Sequence, residues 1–228
     1  TSSKFVLQKL SPIFKKEVNF DLKAVSKHLE KSGMLVQKIL QTTSGDLFVE
    51  NGKEIWRMLS FIPGRVFTTA SSPEIVCEAG KILGKFHLAL SNFNYVFRHA
   101  RPMRHAARNF YNKLKAISQN STDPDFQNFT VMAAGISNFY LPENLRQNIT
   151  HGDPKLTNII FDKYAPNRFK ARALIDLDDC GREHNVLIEL GDAFRSWCGL
   201  EEDNPRNFFD LEKFKAGLNG YLEGSHNL

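Results

Sequence analysis

The pattern of apolar and polar positions changes near residue 62 and divides the chain into two regions. In the first region, short apolar stretches bounded by polar residues predict strands over 4–10, 35–40, 47–50 and 54–59, with one helix after the first strand. Asn51-Gly52 predicts a tight hairpin turn between the last two strands. From residue 71 onward, apolar residues recur every three or four positions, which is typical of helices. We therefore predict an α+β protein with a small β-rich N-terminal region and a larger, mainly helical C-terminal region.

Within the second region, the helical periodicity predicts helices at about 73–90, 107–117, 190–197 and 208–221. Ser72, Pro73 and Glu74 form a typical helix start, with a capping residue, a first-turn proline and an acidic side chain. Residues 118–126 are rich in Asn, Ser, Asp and Pro and predict a loop.

Two polar motifs lie between the second and third of these helices. The predicted catalytic motif, residues 150–161, reads THGDPKLTNIIF, and the acidic motif, residues 173–180, reads ALIDLDDC. Phosphoryl transfer needs a carboxylate that orients the attacking hydroxyl, a cation near the transferred group and oxygen ligands for Mg²⁺. The spacing predicts Asp153 as the catalytic carboxylate and Lys155 as the cation. Asn158 and Asp176 are the predicted Mg²⁺ ligands, and Asp176 follows a short apolar strand.

The two motifs follow the order of the protein-kinase catalytic loop and its later metal-binding Asp. His-Gly-Asp-x-x-x-x-Asn followed by Ile-Asp-Leu-Asp resembles the aminoglycoside phosphotransferase / choline kinase superfamily of small-molecule kinases. Together, residues 150–158, 189–195 and 5–10 resemble most closely its N-acetylhexosamine-kinase-like branch, and the likeness extends from about residue 4 to residue 198. The resemblance implies a bilobal protein-kinase-like fold, with an N-lobe over residues 1–62, a hinge at about 59–64 and a helical C-lobe over residues 63–228.

The resemblance also implies ATP as co-substrate, with the adenine held at the hinge by Met58, Ser60 and Ile62. Kinases of this superfamily keep a lysine on the strand that follows the phosphate-covering hairpin. Lys9 has the charge for that role, and the adjacent Gln8 points the other way because neighbouring strand residues face opposite sides. Because the chain begins with this strand, we expect the N-lobe to be truncated.

Other residues near the motifs have less defined roles. The glutamate that would pair with the strand lysine is not identified, since Glu17 precedes the predicted helix and Glu30 lies near its end. His151 is predicted to anchor the catalytic loop, and Asp192 to brace it. Whether Asp178 or Asp179 joins the metal site is left open.

Composition excludes several classes of protein. No apolar run approaches the roughly 20 residues that span a membrane, so no membrane partner is expected. The net charge of +5 is explained equally well by an anionic substrate such as ATP, and no RNA-stacking aromatic pattern is present, so nucleic acid is not expected. The three cysteines have no C-x-x-C spacing, which is typical of a reducing compartment and predicts a cytoplasmic protein.

The predicted function is an ATP- and Mg²⁺-dependent transfer of the γ-phosphate to a hydroxyl of a small molecule, with a sugar such as an N-acetylhexosamine favoured by the resemblance. Choline, homoserine, methylthioribose and an aminoglycoside are alternatives, because one fold and one chemistry serve them all. A protein kinase is disfavoured because only 15 residues separate Asp176 from Asp192. A non-catalytic nucleotide-binding protein of the same fold is the alternative from another class, and the intact Asp153, Asn158 and Asp176 argue against it.

Overall fold

The computed structural model describes residues 4–99, 107–142, 144–200, 204, 206 and 208–226. The chain forms two compact units. The main unit comprises Thr1–Ala100 and Gln147–Leu228, and the helical insert comprises Arg101–Arg146. The predicted catalytic and nucleotide-binding residues all belong to the main unit.

The N-terminal part of the main unit is rich in strands. They are β1 (Phe5–Lys9), β2 (Leu35–Val36), β3 (Ile39–Leu40), β4 (Val49–Asn51) and β5 (Glu54–Ser60). Strand β5 pairs antiparallel with β1, and it also pairs with β3 and β4, which completes a four-stranded sheet.

The helices dominate the rest of the chain. They are α1 (Val18–Lys31), α2 (Pro73–Leu90), α3 (Ala107–Ser118), α4 (Pro124–Ile136), α5 (Val186–Trp197) and α6 (Leu211–Gly224). Helices α3 and α4 pack on each other within the helical insert, and the other four belong to the main unit. Over the described ranges, the helices are all too short or too polar to cross a membrane.

Helix α2 lies at the centre of the hydrophobic core of the main unit. Val76, Ala79, Leu83 and Phe86 on its apolar stripe have no exposed surface. The helix packs against α6 and against strands that flank the catalytic and acidic motifs. Burial of this stripe contributes apolar driving force that holds the strands flanking the two motifs in place.

Two small sheets position the motifs. Their strands are β6 (Asn148–Thr150), β7 (Ile159–Ala165), β8 (Arg168–Leu174) and β9 (Gly181–His184). Strands β7 and β8 form an antiparallel hairpin that β2 extends in parallel, and β6 pairs with β9. The catalytic motif therefore follows directly from β6, and Asp176 lies just beyond the end of β8.

The predicted α+β class, with a small sheet-rich N-terminal region and a helical C-terminal part, is confirmed. The lobe boundary at about 59–64 stays a prediction. The hairpin turn is shifted by one residue: Asn51 pairs with Glu54, so the turn is formed by Gly52 and Lys53, and Gly52 supplies the positive φ of 61°.

Helix α4 begins inside the predicted loop. Asp123 caps it by accepting a hydrogen bond from the Asp125 N–H, and Pro124 occupies the first turn. The sequence analysis placed this Asp-Pro pair in a loop, whereas the same two residue types also start helices.

Candidate active site

The catalytic motif forms a short loop between β6 and β7 that lies against the acidic motif. Gly152 has a φ of 85°, and a Cβ atom there would lie 2.3 Å from the carbonyl oxygen of Asp179. Only glycine permits both this conformation and this approach. The Ile175 N–H donates to the carbonyl of Asn158 at 2.9 Å, which joins the two motifs through their backbones.

Asp153, Lys155 and Asn158 converge within this loop. The Lys155 Nζ lies 2.7 Å from the Asp153 Oδ2. The Asn158 Nδ2 donates to the Asp153 carbonyl at 2.9 Å and to its Oδ2 at 3.2 Å. Because the amide nitrogen is turned toward Asp153, the Asn158 Oδ1 is directed away from it. The loop thus presents a partly exposed carboxylate, an ammonium group and an amide oxygen within a few ångströms.

His151 is fully buried and anchors the loop, as the sequence predicts. Its Nδ1 accepts a hydrogen bond from the Asp153 N–H at 3.3 Å, which leaves Nε2 as the ring nitrogen that can donate. That Nε2 donates to the carbonyl of Ile175 at 2.9 Å. The ring therefore bridges the catalytic loop and the segment that carries Asp176.

Asp176 lies in the left-handed backbone region, with a φ of 63° and a ψ of 58°, and lines the same cavity as Asn158. Partial desolvation raises the pKa of its carboxyl group above the usual value of 3.8, and the Asp178 and Asp153 carboxylates add repulsion. His151 and Lys155 oppose this rise in pKa. These influences place Asp176 within electrostatic reach of the catalytic loop.

The donor set fits a hard cation. Among the described residues, no three His, Cys, Asp or Glu side chains form a group that could hold a metal ion by themselves. Asn158 and Asp176 instead offer one amide oxygen and one carboxylate on the cavity wall. Mg²⁺ is commonly held by one or two protein oxygens and completes its octahedral shell with water and phosphate oxygens. A bound cation would also relieve the repulsion that raises the pKa of Asp176.

The cavity beside these residues has a volume of about 450 Å³. Strands β1 and β5 line it with Val6, Gln8, Arg57 and Leu59. The catalytic and acidic motifs line it with Asn158, Ile160, Ile175 and Asp176. Apolar walls with a few polar groups are typical of a small-molecule binding site, and this volume is sufficient for a nucleotide.

The structure does not place Lys9 at this cavity. Antiparallel pairing sets Lys9 opposite Trp56 and Gln8 opposite Arg57, so Lys9 lies on the other face of β1 from Gln8. Its ammonium group is half-exposed and pairs with Glu54. The prediction that Lys9 contacts phosphates is therefore at odds with the strand register, because the residue chosen for its charge faces solvent.

Of the three predicted adenine-binding residues, only Ile62 lines the cavity. Met58 is engaged in the strand ladder opposite Leu7 and Leu40. Ser60 uses its N–H to donate to the Lys38 carbonyl at 2.8 Å, and its own carbonyl accepts from the Gln37 Nε2 at 3.1 Å. Strand pairing thus occupies the backbone groups that the sequence assigned to the adenine.

A buried polar network centred on Arg57 was not anticipated from the sequence. Arg57 is only 3% exposed, and its Nη2 donates to the Asp178 Oδ2 at 2.7 Å. Its Nε and Nη2 donate to the Gln8 Oε1 at 3.0 and 2.8 Å, and its Nη1 donates to the Asn19 Oδ1 at 3.3 Å. The sequence feature that could have indicated this network is an arginine two positions before Leu59, on the same face of the strand as that buried residue. Asp178, left open by the sequence, is the partner of this arginine.

A second buried polar network, also not anticipated from the sequence, supports the catalytic loop. The Glu189 Oε1 accepts the Gly152 N–H at 2.6 Å, and its Oε2 contacts the His87 Nε2, whose Nδ1 lies 3.0 Å from the Tyr221 hydroxyl. Burial opposes ionisation of Glu189, but the contacts with His87, His151 and Gly152 outweigh it and lower the pKa of Glu189 below its usual value.

The brace that the sequence assigned to Asp192 is therefore made by Glu189, one helical turn earlier in α5. Asp192 pairs instead with Arg195 at 2.9 Å. Helix α5 holds the loop at a further point, where the Trp197 Nε1 donates to the Pro154 carbonyl at 2.7 Å.

Solved structures share this fold at low sequence identity. The amicoumacin kinase hAmiN, solved with AMP-PNP, Ca²⁺ and Ami, superposes with a TM-score of 0.66 at 15% identity, covering 96% of this chain and 66% of that one. A microcompartment-associated aminopropanol kinase gives a TM-score of 0.55 at 14% identity, covering 96% and 69%. Choline kinase from Cryptosporidium parvum Iowa II gives 0.54 at 14% identity, covering 95% and 63%. The chain thus spans about two thirds of the length of these structures.

No curated protein matches the sequence significantly. The family described as APH, the phosphotransferase enzyme family, matches residues 4–218, which is nearly the whole sequence. These residues include the catalytic motif, the acidic motif and the cavity described above. The chain belongs to the phosphotransferase enzyme family.

Proposed function

We propose that this protein is a kinase that uses ATP and a divalent metal ion, Mg²⁺, to phosphorylate a hydroxyl group of a small molecule. One observation carries the proposal: Asp153, Lys155 and Asn158 converge beside a cavity that Asn158 and Asp176 line. Family membership supports phosphoryl transfer as the class of chemistry. The similar solved structures include kinases for amicoumacin, aminopropanol and choline, which supports a small molecule as the acceptor.

In this proposal, Asp153 accepts a hydrogen bond from the attacking hydroxyl and holds it in line with the γ-phosphorus. Its partly exposed side chain can reach such a substrate, and the Asn158 amide fixes its orientation. Lys155, already beside Asp153, offsets the negative charge of the transferred phosphoryl group. Mg²⁺ bound by Asn158 and Asp176 would neutralise charge on the phosphate oxygens.

The apolar part of the cavity would hold the adenine. Val6, Leu59 and Ile160 provide apolar surface for its ring. Because hydrogen bonds within the protein engage the backbone groups of Met58 and Ser60 and the Phe61 N–H, we assign the backbone contacts with the base to the Phe61 carbonyl and the Ile62 N–H, whose residues also line the cavity. This placement puts the phosphate chain toward Asn158 and Asp176.

For the acceptor, we propose a sugar of the N-acetylhexosamine type, on the basis of the motif resemblance in residues 150–158 and 189–195. Choline, homoserine, methylthioribose and aminoglycosides use the same phosphoryl chemistry and are the compounds to compare with it. The cytoplasmic location stays a prediction.

The test is ADP release by the protein with ATP and Mg²⁺ across a panel of sugars, amino alcohols and aminoglycosides. We expect an acceptor-dependent signal that falls by at least about 100-fold in Asp153→Asn, in the range that loss of a positioned acid–base group costs. Asp162→Asn, an exposed carboxylate on β7 that pairs with Arg172, is the matched control and should retain activity.

Acceptor-independent ADP release, or equal rates in wild type and Asp153→Asn, would contradict the proposed role of Asp153. Intact binding of ATP–Mg²⁺ without turnover of any compound would favour a nucleotide-binding protein of the same fold. A signal with amino alcohols or aminoglycosides alone would exclude the sugar.

A further inference from the structure

Arg57 is the cation that faces the nucleotide-sized cavity. The pairing of β1 with β5 sets Gln8 opposite Arg57 and Val6 opposite Leu59, and all four residues line the cavity. Among the lining residues that the structure describes, Arg57 alone carries a positive charge. A triphosphate brings several negative charges into this space, so the position of Arg57 matches the charge of the proposed ligand.

Hydrogen bonds hold Arg57 in place, and its burial costs desolvation free energy. Only 3% of Arg57 is exposed, and a buried guanidinium is tolerated only when it is paired and hydrogen-bonded. Gln8 and Asn19 accept three of its hydrogen bonds, and Asp178 accepts a fourth. An apolar side chain would fill the same place without the desolvation cost, so packing alone does not explain an arginine here.

One N–H donor of the Arg57 guanidinium group is left over for a ligand. A guanidinium has five N–H donors, and the four bonds to described residues use the Nε donor, both Nη2 donors and one Nη1 donor. The second Nη1 hydrogen has no partner among the residues that the structure describes. An arginine held in this way can offer it to a phosphate oxygen without reorganising its other contacts.

We propose that Arg57 binds the phosphate chain of the nucleotide, the role that the sequence assigned to Lys9. Asp178 then acts as the carboxylate partner of this cation and ties the strand to the turn that carries Asp176. The inference deepens the proposed function and rests on it, since the ligand is ATP with its metal ion. In this arrangement the phosphate-binding cation comes from β5 and not from β1.

The experiment compares the affinities of the full chain for ATP–Mg²⁺, ADP–Mg²⁺ and adenosine by calorimetry. The double variant Arg57→Met/Asp178→Asn removes both charges, which avoids leaving a buried carboxylate unpaired. We expect its Kd for ATP–Mg²⁺ and ADP–Mg²⁺ to rise about tenfold or more, in line with the loss of a charge-assisted hydrogen bond. Its Kd for adenosine should stay within about twofold of wild type, because the apolar end of the cavity is unaltered.

Two further variants sharpen the comparison. Lys9→Met tests the competing assignment and should bind all three ligands as wild type does. Arg172→Met is the matched control, because Arg172 forms an exposed pair with Asp162 and does not line the cavity. Thermal unfolding of each variant establishes that it is folded.

The inference is overturned if the folded double variant binds ATP–Mg²⁺ as tightly as wild type, or if Lys9→Met is the variant that loses affinity. An equal loss of affinity for adenosine and for ATP–Mg²⁺ also overturns it, since the Arg57–Asp178 pair would then have only a structural role. Failure of the proposed function can be distinguished from failure of this inference, because the wild-type protein itself would then show no Mg²⁺-dependent binding of ATP.

Discussion

Asp176 shows how a single residue can reduce stability where it serves the proposed function. A non-glycine residue in the left-handed region costs about 1–2 kcal/mol, and the acidic surroundings add repulsion that raises the pKa of its carboxyl group. The conformation sets the carboxylate at the end of β8 on the cavity wall beside Asn158. Such local strain is typical of functional positions.

Asp176→Asn should separate stability from function. An uncharged amide removes the repulsion from Asp178 and Asp153 and tolerates the left-handed backbone, so the free energy of unfolding should rise by up to about 0.5 kcal/mol, a small gain because solvent screens the carboxylate. The same change should abolish the Mg²⁺ dependence of nucleotide binding. Urea unfolding and calorimetry with and without Mg²⁺ measure the two effects. Unchanged Mg²⁺-dependent binding would show that Asp176 is not a metal ligand.

At the scale of elements, glycines allow the close contact between α2 and α6. A Cβ atom at Gly80 would lie 2.1 Å from the carbonyl oxygen of Gly217, and one at Gly220 would lie 2.0 Å from that of Cys77. The two helix backbones therefore touch without side chains between them. The glycines therefore set how closely α6 approaches α2.

Gly220→Ala should push α6 away from α2 and lower the free energy of unfolding by about 2–3 kcal/mol, the upper part of the range for overpacking a tight core. Gly191→Ala is the matched helical control, since no atom lies within 4 Å of the added Cβ. That control should be neutral or stabilising by up to about 1 kcal/mol, because alanine is the better helix former. Urea midpoints of the two variants test the contrast, and equal stabilities would mean that the helices can separate freely.

At the scale of the whole molecule, Glu189 links the catalytic loop to the helical core. Its two carboxylate oxygens bind the Gly152 N–H and His87, and His87 reaches Tyr221 on α6. One buried charge thus connects α2, α5, α6 and the loop. The lowered pKa of Glu189 means that its ionised form stabilises the fold.

Glu189→Gln should lower the free energy of unfolding by about 3 kcal/mol at neutral pH, as expected when one partner of a buried pair is removed. Since the folded-state pKa is depressed, the stabilisation by Glu189 is complete above its ordinary pKa of 4.5 and is lost as the pH falls through the lower folded value. The difference between wild type and variant should therefore shrink in acid, which urea unfolding at several pH values measures. A difference that stays constant with pH would contradict this linkage, and Glu212→Gln on the exposed face of α6 is the control.

Sequence reasoning succeeded where chemistry and structure are local. Asp153, Lys155 and Asn158 lie within six residues, and a loop this short keeps them together whatever surrounds it. The apolar stripe of α2 and the hairpin of β4 and β5 likewise follow from periodicity and turn chemistry. It failed at Asp123-Pro124, where the same local pattern starts either a turn or a helix.

By itself, then, the sequence determined the α+β class and predicted the catalytic loop and the proposed metal ligands, because these depend on residues close together in the chain. Only the tertiary structure decided which cation faces the cavity, because the register of β1 against β5 turns Lys9 outward and Arg57 inward. It also decided that Asp178 is the partner of Arg57, 121 residues away, and that Glu189 braces Gly152, 37 residues away. Contacts at such separations depend on how elements pack, which no local spacing encodes.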